Sequence, residues 1–303
     1  MNKEEIVKRI LQLKREKNAI ILAHNYQPPV IQDIADMTGD SLELSRQAAS
    51  TAAEVIVFCG VAFMAETAAI LNPGKTVLLP RLDAGCPMAD MITPEDVRTV
   101  RAKYPGIPIV TYVNSTAAVK AESTVCCTSA NSIHVVESFK DHDTVYMAPD
   151  QNLAKYTARH TKKQVMHWNG YCPIHHHLKM DAVKKKKQEH PEALFLAHPE
   201  CPPEILDLAD MIQSTSGMLR FVRESTHEAF IIGTEEGILH PMRKQNPDKR
   251  FYSASGSLIC PDMKKTSLED VLRSLETLQP RITVPEDIRV RALGAVERML
   301  TLG

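Results

Sequence analysis

The strongest constraint on this chain is that it repeats itself. The segment LAHNYQPPVIQDIADMTGDS, which begins at Leu22, returns 174 residues later as LAHPECPPEILDLADMIQST at Leu196. His24 and His198, Pro28 and Pro202, Asp33 and Asp207, and Asp36 and Asp210 all fall in register. A middle copy, TYVNSTAAVKAESTVCCTSA, stands at an offset of 88 and shares layout more than identity. Each copy is entered by a helical stretch that runs into an apolar strand: LKREKNAIIL, VRAKYPGIPIV and KKQEHPEALFL. A repeat of this kind means several copies of one supersecondary unit, packed so that each buries what it cannot bury alone.

Nine β-branched runs, three per copy, alternate with helical segments along the chain, from AIILAHNY and EVIVFCG to AFIIG and RFYSA. Such alternation predicts parallel sheets covered by helices. The expected class is α/β, with three αβα sandwich units carrying short parallel sheets, related by a pseudo-threefold axis. The units are expected at residues 1–88, 89–174 and 175–262, with C-terminal helices in 263–303 packed on them.

The cysteines follow the same period. GCPMA at Cys86, YCPIH at Cys172 and ICPDM at Cys260 each close a unit, with spacings of 86 and 88 residues. A threefold arrangement of these loops would bring three sulfurs to one centre. Three thiolates suit zinc or an iron–sulfur cluster. Structural zinc sites close with four ligands drawn from local C-x2-C pairs, and the chain has none. A 4Fe–4S cluster on three cysteines leaves one iron open as a Lewis acid. Cys59, Cys126 and Cys127 are expected in the core, and Cys201 is assigned no role.

The same register collects polar groups at the strand ends, where ligands bind in open parallel sheets. First-strand ends carry His24, Tyr112 and His198; two residues on stand Tyr26, Asn114 and Glu200. Ser41, Ser129 and Thr215 stand where a turn enters a helix, positions that cap helices and bind anions. Of CPIHHH, His175 is the histidine expected to face the cavity, because it lies three residues after Cys172. Glu200 is the only carboxylate among the nine positions and is the expected general base. Asp33, Asp36, Asp207 and Asp210 are expected on the helix after the first strand, in a structural role.

Balance and targeting exclude other classes. With 36 basic and 37 acidic residues the net charge is −1, so no polyanion or nucleic-acid partner is expected. The one dense basic run, Lys184 to Lys187, sits in a helical stretch and reads as a solvated face. MNKEEIVKRILQLKREK is a charged amphipathic helix with Ile6, Ile10 and Leu13 on one side, not a signal peptide. No apolar run approaches the roughly 18 residues a membrane span needs. A cytoplasmic protein is expected, where thiols stay reduced.

AHNYQ, GDS, YVNST, TSAN, HPEC, STSGM and the three Cys-Pro loops together resemble the quinolinate synthases of the bacterial and archaeal NAD pathway, across nearly the whole chain. The third cysteine stands alone in GSLICPDMKK, where some members carry further cysteines in a C-x2-C arrangement. The resemblance implies three αβα units around a 4Fe–4S cluster on Cys86, Cys172 and Cys260. It implies condensation of iminoaspartate with dihydroxyacetone phosphate, then loss of phosphate and two waters. It implies a cavity lined by His24, Tyr26, Ser41, Tyr112, Asn114, Ser129, His175, His198, Glu200, Ser214 and Thr215. Glu200, Tyr26, His198 and Tyr112 would act in catalysis and the others would bind substrate. An L-aspartate oxidase or dehydrogenase is the implied supplier of iminoaspartate.

Overall fold

A computed structural model describes residues 1–302. The first third of the chain forms β1 (Ala19–His24), β2 (Met37–Gly39), β3 (Val55–Cys59) and β4 (Thr76–Leu78), paired in the order β2-β1-β3-β4. The next third repeats this with β5 (Ile109–Tyr112), β6 (Val125–Cys127), β7 (Thr144–Ala148) and β8 (Gln164–His167), in the order β6-β5-β7-β8. The last sheet contains β9 (Leu194–Ala197), β10 (Met211–Ile212), β11 (Ala229–Gly233) and β12 (Arg250–Ser253), in the order β10-β9-β11-β12. Every pairing is parallel.

Nine of these strands are the runs expected from the sequence. The edge strands β2, β6 and β10 are additions, two or three residues long and too short to show a period of two. Each is anchored by the same device. The Asp36 carboxylate accepts the Ile21 N–H at 2.8 Å, and the Asp210 carboxylate accepts that of Phe195 at 2.7 Å. In the middle unit the Thr124 hydroxyl accepts from Ile109 at 3.0 Å. Asp36 and Asp210 thus lie just beyond their helices, Pro29–Ile34 and Pro203–Leu206, rather than on them, and their role is structural. Asp33 is helical and pairs with His240 at 2.9 Å and Lys244 at 2.7 Å, tying the first third of the chain to the last. Asp207 lies just past the end of its helix and pairs with Arg159 at 2.7 Å, tying the last third to the middle one.

Side chains alternate across each sheet. Leu22, Val110 and Leu196, register equivalents, enter one central apolar cluster, whereas Ile21, Ile109 and Phe195 face three separate outer clusters. Burying one such side chain stabilises by about 1.5–3 kcal/mol, so a slip of one residue would lose both faces at once. The N-terminal helix Lys3–Glu16 buries Ile6, Ile10 and Leu13 against Leu268, Val271 and Leu275 of the helix Leu268–Thr277. The last helix, Glu286–Thr301, sinks Ala292, Ala295, Val296 and Met299 into the central cluster.

In every sheet the chain leaves the first strand toward the edge and returns to the other side. The carboxyl end of β1, β5 and β9 therefore borders a switch point, where a crevice opens.

Candidate active site and metal centre

The three switch points open onto one cavity of about 350 Å³. Its wall contains all nine register positions: His24, Tyr112 and His198; Tyr26, Asn114 and Glu200; Ser41, Ser129 and Thr215. It also contains His175 and the three Cys-Pro loops through Cys86, Cys172 and Cys260. Among the described residues no other cysteine reaches this wall. Cys59, Cys126, Cys127 and Cys201 are buried in apolar clusters. His176 stacks on Tyr171 and His177 is exposed, so one histidine of the triplet faces inward.

The Cys-Pro pairs have a common local cause. Each leads into a helical turn: Cys172 caps Pro173–His176, with proline at the first position, while Cys86 and Cys260 stand shortly ahead of the turns Ala89–Met91 and Asp262–Lys264. Each sulfur accepts the backbone N–H three residues on, from Ala89, His175 and Met263 respectively. These bonds favour thiolates, but burial outweighs them. It pushes Cys86 up to about 12, with Glu200 and Cys260 adding to the effect. Burial likewise raises Cys172 and Cys260. Three thiols on one wall, each with an N–H donor already aimed at its sulfur, form a donor set that fits an iron–sulfur cluster, whose cationic iron would hold them ionised. A smaller group overlaps it: Cys172, His175 and Glu200 place ligand atoms within 4.8 Å of one another.

The strand-end histidines are fixed alike. His24 Nδ1 accepts the Tyr26 N–H at 3.1 Å, and His198 Nδ1 accepts the Glu200 N–H at 3.3 Å. Burial lowers both rings to a pKa of about 3, so they are neutral and carry their hydrogen on Nε2. Glu200 is 3% exposed. Burial opposes its charge, but His175, at 2.6 Å, His198 and a Tyr112 hydrogen bond hold the carboxyl at about 2. Burial, reinforced by Glu200, raises Tyr26 and Tyr112 well above the usual phenol range. Asn114 Oδ1 is buried without a hydrogen-bond partner, an acceptor left for a ligand.

The helix entries differ from expectation. Ser41 and Thr215 are the first residues of the helices Ser41–Ser50 and Thr215–Glu224, and the caps are Asp40 and Ser214. Asp40 accepts from Leu42 and Glu43, and Ser214 accepts from Gly217. Ser214 is outside the cavity wall, its hydroxyl donated to Asp40 at 3.3 Å. Ser129 precedes its helix, Ser132–Glu137, by a turn closed by the Asn131 side chain accepting from the Thr128 N–H at 2.7 Å.

The sequence pattern of the family described as "Quinolinate synthetase A protein" matches residues 8–301. The chain belongs to that family. It is 56% identical over 302 residues to a quinolinate synthase of Geotalea uraniireducens, covering 100% of this chain and 99% of that protein. It is 56% identical over 293 residues to a quinolinate synthase of Methanoregula boonei, covering 97% of each. A protein of Methanosarcina acetivorans named quinolinate synthase 1 is 51% identical over 302 residues, covering 100% of this chain and 99% of that one.

In this member of the family, three polar residues had escaped sequence reasoning: Thr234 and Asp150 behind the wall and Glu235 in it. Two residues after β3, β7 and β11 stand Val61, Asp150 and Glu235. Asp150 Oδ2 accepts the Cys172 N–H and Glu235 Oε1 accepts the Cys260 N–H, both at 3.1 Å. Val61 has no carboxylate to offer Cys86. Glu235 also pairs with Lys264 at 2.7 Å. Thr234, just before it, touches both Tyr26 and His175. The signal was available in the third-strand register, but comparing the first and last copies, the two most alike, sets Gly60-Val61 against Thr234-Glu235 and shows no shared residue.

Proposed function

We propose that this chain is a quinolinate synthase that condenses iminoaspartate with dihydroxyacetone phosphate and releases phosphate and water. Cys86, Cys172 and Cys260 hold a 4Fe–4S cluster in this reading. The observation that carries it is the shared wall of three cysteine loops and nine in-register polar positions. When bound, a cluster on three thiolates leaves one iron without a protein ligand and supplies a Lewis acid toward a substrate oxygen.

The chain's own residues do the rest. The substrates bring carboxylates and a phosphate, and no lysine or arginine is among the described residues of the cavity wall. Anions rest instead on the Nε2–H groups of neutral His24 and His198 and on the helix entries at Ser41 and Thr215. Ser129 and His175 join them, with Ser214 behind through its cap. Asn114 Oδ1 accepts a substrate N–H or O–H. Glu200, ionised in spite of burial, is the base that takes protons during the carbonyl–enol shifts. Tyr26 and His198 move protons with it. Tyr112, a phenol hydrogen-bonded to Glu200, holds that carboxylate in place beside the reacting atoms.

Iminoaspartate hydrolyses in water, so an L-aspartate oxidase or dehydrogenase supplies it. We place the protein in the cytoplasm. No described helix is long and apolar enough to cross a membrane.

Oxygen-free purification, an iron and sulfide count, and an assay for quinolinate from both substrates test the reading. It expects four irons per chain and quinolinate formation. Bound iron without product would overturn the activity. One zinc per chain, held by the Cys172, His175 and Glu200 group, would overturn the cluster.

A further inference from the structure

Lys120, on the helix Ala117–Ala121, is the only buried lysine or arginine among the described residues, at 0% exposure. Lysine is almost never buried so fully without a paired charge. Its Nζ donates to the Ser115 carbonyl at 2.7 Å and to the Phe63 carbonyl at 3.3 Å, and stands 5.4 Å from the centre of the Phe63 ring. Two carbonyl oxygens and an aromatic face are the surroundings of an ammonium. No described residue forms an ion pair with it. Burial lowers its pKa, and Glu66, then Cys126 and Cys86, work against the lowering from a distance. The half-buried Glu66 carboxylate is itself engaged, accepting the Ala117 N–H at 2.8 Å.

This charge stands behind one particular loop. Phe63 is in the cavity wall, at the start of the helix Ala62–Leu71. The Ala62 N–H donates to the Ala84 carbonyl at 2.8 Å, two residues before Cys86. Lys120 thus backs the Cys86 loop through a single layer of chain. Cys172 and Cys260 have Asp150 and Glu235 behind them, and at the matching place Cys86 has Val61. Three thiolates around a cationic iron–sulfur core leave a net negative charge, which an added electron increases. Glu200 adds to it, and the cavity wall carries no lysine or arginine. In a dry interior, opposite charges attract across several ångströms.

We propose that Lys120 is the buried counter-charge of the iron–sulfur cluster, set behind the one cysteine loop that no carboxylate supports. The inference rests on the reading above, in which Cys86, Cys172 and Cys260 hold that cluster. The lysine is then a burden to the metal-free chain and is compensated once the cluster is in place. It favours the anionic cluster, and favours it more after one-electron reduction.

Lys120→Gln removes the charge and keeps an amide N–H2 for the two carbonyls, whereas Lys120→Arg keeps the charge. Oxygen-free samples of matched iron content, without substrate, are titrated with dithionite and followed by EPR. Lys120→Gln should hold the added electron about tenfold less well, a midpoint potential about 59 mV lower, and should lose iron faster to a chelator. Lys120→Arg should stay near the parent. Glu66→Gln, which removes a negative charge from the same neighbourhood, should move the potential up. A parental potential in Lys120→Gln overturns the inference. So does an arginine variant as low as the glutamine one, or shifts of the same sign in Lys120→Gln and Glu66→Gln, since loosened packing does not follow the sign of the charge removed. Should Lys120→Gln fail to fold, an unmoved potential in Glu66→Gln overturns the inference and a raised one supports it. A parent that binds no iron–sulfur cluster sinks both the inference and the reading beneath it.

Discussion

The first and last thirds of the chain are the most alike in sequence, yet they do different things at the cavity. Both place a histidine at the strand end, and both lock its Nδ1 with the N–H two residues on. There the likeness stops. The residue supplying that N–H is Tyr26 in one and Glu200 in the other, and behind it stand Gly60 and Val61 against Thr234 and Glu235. Duplication has kept the strand, the turn and the histidine, which build the wall. The positions that would set charge and proton traffic in the proposed reaction have diverged. A threefold scaffold holds a site without threefold symmetry, as a reaction with distinct acid and base requires.

The largest effect should fall where the units stay equivalent. Cys86→Ser, Cys172→Ser and Cys260→Ser should each abolish both bound iron and turnover, although only the last two have a carboxylate behind them. Cys201→Ala, in an apolar cluster, should keep its iron and cost about 1 kcal/mol of stability. Iron counts and the visible absorption of oxygen-free protein check this. A Cys86 variant that kept its full iron would break the equivalence.

Next comes the divergent pair. Glu200→Gln should keep the iron and lose about 10²- to 10⁴-fold in kcat, the scale of general base catalysis. Glutamine can accept from His175 and Tyr112 but cannot take a proton. Tyr26→Phe should lose less, because Glu200 remains ionised without it. Steady-state rates on iron-matched samples decide the order. The reverse order would place the principal base in the first third of the chain.

Much of this was legible before any coordinates. The period, nine of the twelve strands and the wall positions follow from register, because burial face and strand-end place are set by residue count alone. The Cys-Pro signal was legible for a local reason, a proline after each cysteine where the chain enters a helical turn. Strands β2, β6 and β10 were hidden because two or three residues carry no period. Ser129 was placed at a helix entry because the extra turn Thr128–Asn131 has no counterpart in the other units. Thr234 was hidden because it meets Tyr26 across 208 positions, and Asp150 and Glu235 because the first copy has Val61 at their place.

A moderate effect separates the two carboxylates behind the cysteine loops. Glu235→Gln leaves Lys264 without its counter-charge at a site where the carboxylate is fully buried. It should cost about 1–2 kcal/mol, less than a fully buried pair because Lys264 is a quarter exposed. Asp150 has no cationic partner among the described residues. Asp150→Asn keeps one acceptor oxygen and loses about one hydrogen bond, about 1 kcal/mol. Denaturant midpoints of the metal-free proteins measure both. A costlier Asp150→Asn would show that holding Cys172, not charge pairing, dominates.

The smallest effect is the most demanding test of the scaffold half of the comparison. Asp36 and Asp210 do the same work in the first and last sheets: each accepts one strand N–H and one lysine, Lys14 at 2.5 Å and Lys187 at 3.0 Å. Their carboxylates are similarly exposed, at 33% and 38%, so the ion pairs themselves contribute little. What remains is the strand N–H, half-shielded by the edge strand and left unsatisfied by alanine. Asp36→Ala and Asp210→Ala should therefore each cost about 1 kcal/mol and agree within about 0.5 kcal/mol. Neither residue touches the cavity wall, so iron content and turnover should be unchanged in both. A difference beyond about 1 kcal/mol would mean that the two sheets have drifted apart in packing as well as in chemistry, and the division between a shared scaffold and a divergent site would fail at its simpler half.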